Sequence, residues 1–368
     1  MKRVVITGFE TLTPYGLGIN LIKENIENNI KAYYLSDTYV DGIFYPTGII
    51  PADISDFVNR SINRHIDRTM TEESKYVYHT INKMISEQNI QIDSNTGIAI
   101  ANTIPNLIAI DRFTDFNITK YTGDIFKTFN NTIAFNIANA FNCRGPNISS
   151  ASACATGLQS VIHGYDMIRL GRTKSMICGG VETFSAGYML DIFIKLGIAS
   201  KTSCRPFSKD RDGTINSEGC GILFLEELEQ AIKRNAIIYG EIIGTSMNCS
   251  NNISVSDTNS IYNCMNEAIN EYFTNYNSID NFNIDIINTH ATGTIAGDTR
   301  ELEAIQMLES NNNITYNKLK YYKEYLGHTM AASGAIELAY SLYNDNFEYL
   351  LKNSFGLGGT NCSVLIRR

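Results

Sequence analysis

Apolar runs that alternate with stretches of helical period limit the folds open to this chain more than any other feature. The runs "RVVITGF", "TGIAIAN", "SMICGGVE", "GILFLEE", "AIIYGEIIGTSM", "IDIINTH" and "CSVLIRR" read as strands. Several lack polar alternation, as expected for strands covered on both faces. Between them, Val77, Ile81, Met84 and Ile85 fall at i, i+4, i+7 and i+8 and predict a helix. Leu158, Val161, Ile162, Tyr165 and Ile168 predict a second, beginning just after Cys154. Strands and helices in alternation predict an α/β class. A Gly-rich turn leading into an apolar strand occurs at "SEGCGILFLEE" and again at "GLGGTNCSVLIRR". Each would close one half of the chain, residues 1–235 and 236–368, with "EQAIKRNA" as a solvated helix end at the boundary.

Composition narrows the function classes. The net charge is -8 with no basic block, which argues against nucleic acid as the main partner. No apolar run is long enough to span a membrane. The start, "MKRVVITGFE", reads as a first strand rather than a signal peptide, so a cytoplasmic location is expected. There the eight cysteines would be reduced thiols. No CxxC pair occurs, so no metal site is expected.

The segment "SSASACATGLQS" puts Cys154 where an extended run turns into a helix. A small buried hydrophobe is one reading. A nucleophile is the other: the positive end of a helix dipole favours thiolate, the form that attacks an acyl carbonyl. Of the five histidines, His65, His79 and His163 have helical or polar surroundings. His290 ends the strand "NIDIINTH" and His328 lies in "EYLGHTMAASGAIE", each beside small residues. Sites in α/β sheets gather at the carboxyl ends of strands, followed by Gly-rich loops. A thiol with imidazole donors suits acyl transfer. Lys323 and Glu337 frame His328 in sequence; they would fix its orientation or be solvated surface charges. The Gly-rich "NSFGLGGTN" lacks the Walker Lys-Ser/Thr and reads as a mobile loop whose N–H groups approach a substrate oxygen.

Taken together, "RVVITGFETLTPYGLG", "GPNISSASACATGLQS", "SCRPFSKDRDGTINSEGCG", "INTHATGTIAGDTRE", "KYYKEYLGHTMAASGAIE" and "NSFGLGGTNCSVLI" resemble, in order, an elongating β-ketoacyl-acyl carrier protein synthase of the synthase II type. The resemblance implies the thiolase fold, a five-layer αβαβα sandwich of two similar halves. It implies decarboxylative Claisen condensation of malonyl-carrier protein with an acyl group on Cys154, in fatty acid or polyketide elongation. His290 and His328 would promote decarboxylation and stabilise the enolate. Lys323 would hold the charge balance with Glu337 as partner. The N–H groups of Cys154 and Leu357 would form the oxyanion hole, with Phe355 and Leu357 in the gating turn. Thr292 and Thr294 would contact the pantetheine arm. The arm arrives on the carrier protein, so no bound cofactor is expected. The alternative is one subunit of a ketosynthase/chain-length-factor pair.

Departures from the family pattern concern substrate range. The first His is followed by Ala291 where relatives read Gly, and Leu357 stands where Phe is common. The segments after "IAIANTIPN" and "GTSMNCSNN" look trimmed. Between two glycines, Leu357 would gain backbone freedom and give a looser gate, with Phe193 as a candidate acyl-pocket wall. An acidic carrier protein needs a local basic face, for which Arg64 and Arg68, four residues apart, are the candidates. A homodimer is the default assembly, a heterodimer with a related subunit its alternative.

Overall fold

The computed structural model describes residues 1–40, 42–60, 62, 64–67, 69–104, 124–183, 188–254, 256–276, 282–312 and 314–368. Ten strands form the path of the main eleven-stranded sheet, and the two-residue strand Gly16–Leu17 pairs beside it on the first. The first five are β1 (Val4–Thr13), β2 (Gly97–Ala101), β3 (Asn147–Ile148), β4 (Ser175–Glu182) and β5 (Gly219–Glu227). The second five are β6 (Gly240–Cys249), β7 (Asn283–Asn288), β8 (Thr315–Lys320), β9 (Tyr349–Phe355) and β10 (Thr360–Arg367). Six of the helices among the described residues frame the sheet: α1 (Glu72–Gln88), α2 (Thr132–Ala140), α3 (Thr156–Arg169), α4 (Thr258–Tyr276), α5 (Ile295–Asn312) and α6 (Ser333–Asn344).

Neighbours across the sheet run β8-β7-β9-β10-β6-β1-β5-β4-β2-β3. The two halves therefore repeat one topology. In each, the second strand pairs parallel with the third and fourth, and the fifth pairs antiparallel with the fourth and first. A short antiparallel join, Val4–Ile6 of β1 on Gly240–Ile242 of β6, links them. The two Gly-rich echoes of the sequence are β5 and β10, the equivalent last strands.

Helix positions repeat as well. α3 packs on β2, β4 and β5 of its own half and on β6 and β10 of the other. α6 packs on β7 and β9 and crosses to β1, β4 and β5. Both are thus interior helices, and Leu158, Val161, Ile162, Tyr165 and Ile168 are all buried. α1 and α2 cover one outer face, on β1, β4, β5 and β2; α4 covers the other, on β6 and β10, with α5 beside it. Five layers result, α-β-α-β-α, as the resemblance implies.

Local chemistry explains the element ends. Thr71 caps α1 by accepting from the Ser74 N–H at 3.2 Å, and Asn89 closes it in the left-handed region at φ 49. The segment "NSFGLGGTN" is not a mobile loop: residues 353–355 are the end of β9, and residues 356–359 make the turn into β10. β9 escapes the apolar pattern because Lys352, Asn353 and Ser354 are polar, buried and internally bonded. Among the described residues, no helix is long and apolar enough to cross a membrane. All eight cysteines are free thiols.

Candidate active site

Cys154 sits in a tight elbow between β3 and α3. Ala153 takes the left-handed backbone at φ 47, a costly conformation for a residue with a Cβ. The elbow is held by Ala155 N–H to Ser152 O (3.0 Å), Ser152 N–H to Thr156 Oγ1 (2.8 Å) and Ser354 Oγ donating to Cys154 O (2.9 Å). Gly356 lies so close that a Cβ there would stand 2.2 Å from Ser152 O. This contact brings the Leu357 N–H to the sulfur, and the Cys154 N–H also points to it. Two N–H groups converging on one sulfur have the form of an oxyanion hole.

The thiol does not rest as thiolate. Burial pushes it up to about 12; Lys323 and the two N–H groups pull the other way, while Glu182 adds to the rise. The dipole argument from sequence is overturned here because desolvation outweighs it. At rest the group is a thiol, so any attack by this sulfur must be accompanied by loss of its proton.

The pseudo-repeat carries a second elbow. Met330 has φ 43, as Ala153 has φ 47, and α6 begins three residues after it, as α3 begins three after Ala153. "TMAASG" (329–334) overlays "SACATG" (152–157), so Ala331 stands where the thiol stands. Its N–H donates to Glu182 Oε2 at 3.4 Å.

His290 follows β7, and its main chain is clamped. Its N–H and that of Ala291 donate to Glu301 at 2.8 and 2.7 Å, and its carbonyl accepts from Lys323 Nζ at 2.6 Å. Its ring meets Phe355 edge-on at 5.4 Å and His328 at 5.5 Å between centroids. Its Nδ1 is buried and, among the described residues, has no protein partner. His328 Nδ1 pairs with Ser333 Oγ at 2.9 Å, at the start of α6. Both imidazoles are held well below 6.5, by burial first and then by positive neighbours, Lys323 foremost. Both are neutral near pH 7.

Lys323 and Glu337 are a buried ion pair (2.6 Å), not surface charges. Lys323 Nζ bonds the carbonyl of His290, so the framing suggested by sequence spacing reaches the other histidine. Thr292 and Thr294 share a hydroxyl contact of 3.0 Å and line the same cavity, of ≈ 90 Å³, as Cys154, His290 and His328. Phe193 is buried in a cluster with Cys154 and Met330, and Leu357 packs on that cluster. The backbone freedom near Leu357 lies at Gly358 (φ 97) and Gly359 (φ 90), not at Gly356, whose need is space. Phe355 ends β9 against the His290 ring. Arg68 lies outside the described residues, and of Arg64 only the backbone is described, in the helix Arg64–Asp67.

Sequence reasoning missed Glu301, Asp298, Ser333, Glu182 and Lys352. Asp298 accepts from the Gly293 and Phe207 N–H groups at 3.0 and 2.8 Å. Asp298 and Glu301, three residues apart early in α5, aim at the loop that carries His290; the "GDTRE" spacing was the available signal. Among the described residues, no cluster of three or more His, Cys, Asp or Glu could hold a metal ion.

Comparison with known proteins adds the following. The family model "Beta-ketoacyl synthase, N-terminal domain" matches residues 1–231, and "Beta-ketoacyl synthase, C-terminal domain" matches residues 239–344. The 3-oxoacyl-[acyl-carrier-protein] synthase 1 of Buchnera aphidicola subsp. Baizongia pistaciae is 27% identical over 433 residues, covering 100% of both chains. Those alignment columns outnumber the residues here, so that relative carries residues this chain lacks. The 3-oxoacyl-[acyl-carrier-protein] synthase 2 of Vibrio cholerae is 25% identical over 422 residues, covering 100% of this chain and 99% of its own. A β-ketoacyl synthase structure from Burkholderia phymatum superposes with TM-score 0.87 at 22% identity, covering 100% of both chains. The ishigamide ketosynthase/chain length factor gives TM-score 0.85 at 19% identity, covering 100% of this chain and 99% of its own. At these identities the structures speak for the fold.

Proposed function

The chain belongs to the β-ketoacyl synthase family, and from that premise we propose how its own residues perform the family's condensation. The reaction is decarboxylative Claisen condensation of malonyl-carrier protein with an enzyme-held acyl group. The Cys154 thiol attacks the thioester of an acyl-carrier protein. The tetrahedral oxyanion is taken up by the N–H groups of Cys154 and Leu357. The C–S bond to pantetheine breaks, and the thiol proton leaves with the departing sulfur. Malonyl-carrier protein then enters, its arm along Thr292 and Thr294. Neutral His290 and His328 donate to the malonyl thioester oxygen, whose developing charge they stabilise as CO₂ departs. The enolate carbon attacks the acyl-Cys154 carbonyl and expels the Cys154 sulfur as thiolate, which takes a proton from water to return to the resting thiol. The product is a β-ketoacyl thioester two carbons longer on the carrier. These steps use protein groups and the carrier's own arm.

One observation carries the reading: Cys154 lines one cavity with two neutral imidazoles and the Gly356–Leu357 turn. The partner proposed is an acidic acyl carrier protein, and the proposed assembly is a homodimer. The test is intact mass after incubation with acyl-carrier proteins of varied length. One acyl adduct on the parent chain and none on Cys154→Ala is expected. An adduct that persists in Cys154→Ala overturns the reading. Light scattering that finds a monomer at micromolar concentration, or activity only with a second related subunit, overturns the homodimer.

A further inference from the structure

Lys352 is a buried cation that the reaction steps above leave unused. It lies in β9 and is 0% exposed. A buried ammonium is costly unless its N–H groups are all bonded and a counter-charge is near. Here Nζ meets Asn288 Oδ1 at 2.9 Å, Thr289 O at 3.3 Å and Glu337 Oε2 at 2.5 Å. Asn288 is held in turn, its amide donating to Glu337 O at 3.0 Å and Ser341 Oγ at 2.9 Å.

These contacts close a ring around His290. The carbonyls of Thr289 and His290 are consecutive, and each accepts from a lysine, Lys352 and Lys323 respectively. Both lysines bond the same carboxylate, one on each oxygen of Glu337. On the opposite side, Glu301 takes the N–H groups of His290 and Ala291. Both peptide groups of the histidine are therefore fixed by charged side chains, with donors on one side and acceptors on the other.

We propose that Lys352 is a positioning residue for His290, an internal counter-cation that holds the Thr289 carbonyl and, through Glu337, sets Lys323. This rests on the functional reading above, in which His290 acts on malonyl-carrier protein and Cys154 takes the acyl group. Lys352 touches neither substrate, so its loss should separate the two half-reactions. Burial lowers its pKa to about 8, against the pull of Glu337, with Lys323 and Glu301 as the other charges facing it. The charged clamp consequently loosens as pH rises past that value.

The experiment uses the full chain with Lys352→Met, which keeps bulk without charge, and Lys352→Ala, which opens the cage. Decarboxylation of malonyl-carrier protein by Lys352→Met should fall on the order of 10²-fold, the cost of a misplaced catalytic group. Acylation of Cys154 should stay near the parent rate. The parent's decarboxylation should lose rate above about pH 8, and this limb should be missing in Lys352→Met. Ammonium chloride should raise the Tm of Lys352→Ala, and restore its decarboxylation, relative to tetramethylammonium chloride, whose cation is too large for the cage. Parent-like decarboxylation in Lys352→Met, equal loss of both half-reactions, or no ammonium-specific rise in Tm would each overturn the assignment. If the parent itself takes no acyl group, the functional reading fails instead, and the Tm comparison still decides whether the cage is built for a cation.

Discussion

Replacing Gly356 by Ala tests the oxyanion hole through a contact that can be measured. The added Cβ would stand 2.2 Å from Ser152 O and 3.4 Å from Ala155 N. Non-bonded contacts relax at about 3.5 Å, so the turn and the elbow must part by roughly 1 Å. Ser152 lies two residues before the nucleophile, and Gly356 one residue before Leu357. The same displacement therefore pulls the Leu357 N–H off the sulfur. Loss of one such donor costs about 10²–10³ in rate, or roughly 2.7–4 kcal/mol of transition-state stabilisation. The overpacked contact should also lower stability by about 1–3 kcal/mol. Single-turnover acylation of Cys154, followed by rapid quench and intact mass, should fall by about 10²-fold. Release of CO₂ from malonyl-carrier protein, which the proposed mechanism assigns to His290 and His328, should stay near the parent rate. Acylation at the parent rate would refute the reasoning. So would a parallel fall of both half-reactions that tracks the melted fraction.

Three further outcomes are expected. Because His290 and His328 are held well below 6.5, the acid limb of decarboxylation should lie below that ordinary histidine value. Between the folded and unfolded pKa values the unfolded chain binds more protons, so stability should also fall as the pH drops below 6.5. Rate profiles and Tm values from about pH 5 to 8 check both, and an acid limb at 6.5 would contradict the neutral-donor assignment. Leu357→Phe should tighten the gate over Cys154 and Phe193. Long or polyunsaturated acyl carriers should lose about tenfold relative to short saturated ones. A uniform change across chain lengths would reduce Leu357 to packing.

Much of this was legible in the sequence where side chains follow the backbone period. The apolar runs fell on β1, β2, β4, β5, β6, β7 and β10, and the helical spacing around Val161 marked a helix buried on both sides. Besides the two-residue β3, two strands of the path escaped for opposite reasons. β8 is an edge strand with a polar, largely exposed sequence, and β9 buries polar residues that satisfy one another. The placement of Cys154, His290 and His328 in one cavity came from motif order, since no local pattern connects residues so far apart. The protonation state of the thiol could not be read from position, because the dipole is visible in sequence and desolvation is not. Lys323 and Glu337 resembled surface charges for the same reason: a local window does not tell burial. The second elbow was present in the letters "TMAASG", but without a thiol it carried no chemical signal.

The two elbows lean on each other's backbone. A Cβ on Gly157 would meet Ala331 O at 2.6 Å, one on Gly334 would meet the Leu158 N at 3.0 Å, and the Gly356 turn of the second half rests on Ser152 of the first. Synthesis runs from the N-terminus, so a nascent chain exposes Cys154 long before Leu357 and the two histidines exist. Until the final strand pair docks, that thiol lacks the Leu357 turn and the neighbouring imidazoles that line its cavity in the folded chain. The elbow that carries Cys154 is thus completed only when the second half of the chain has folded against it.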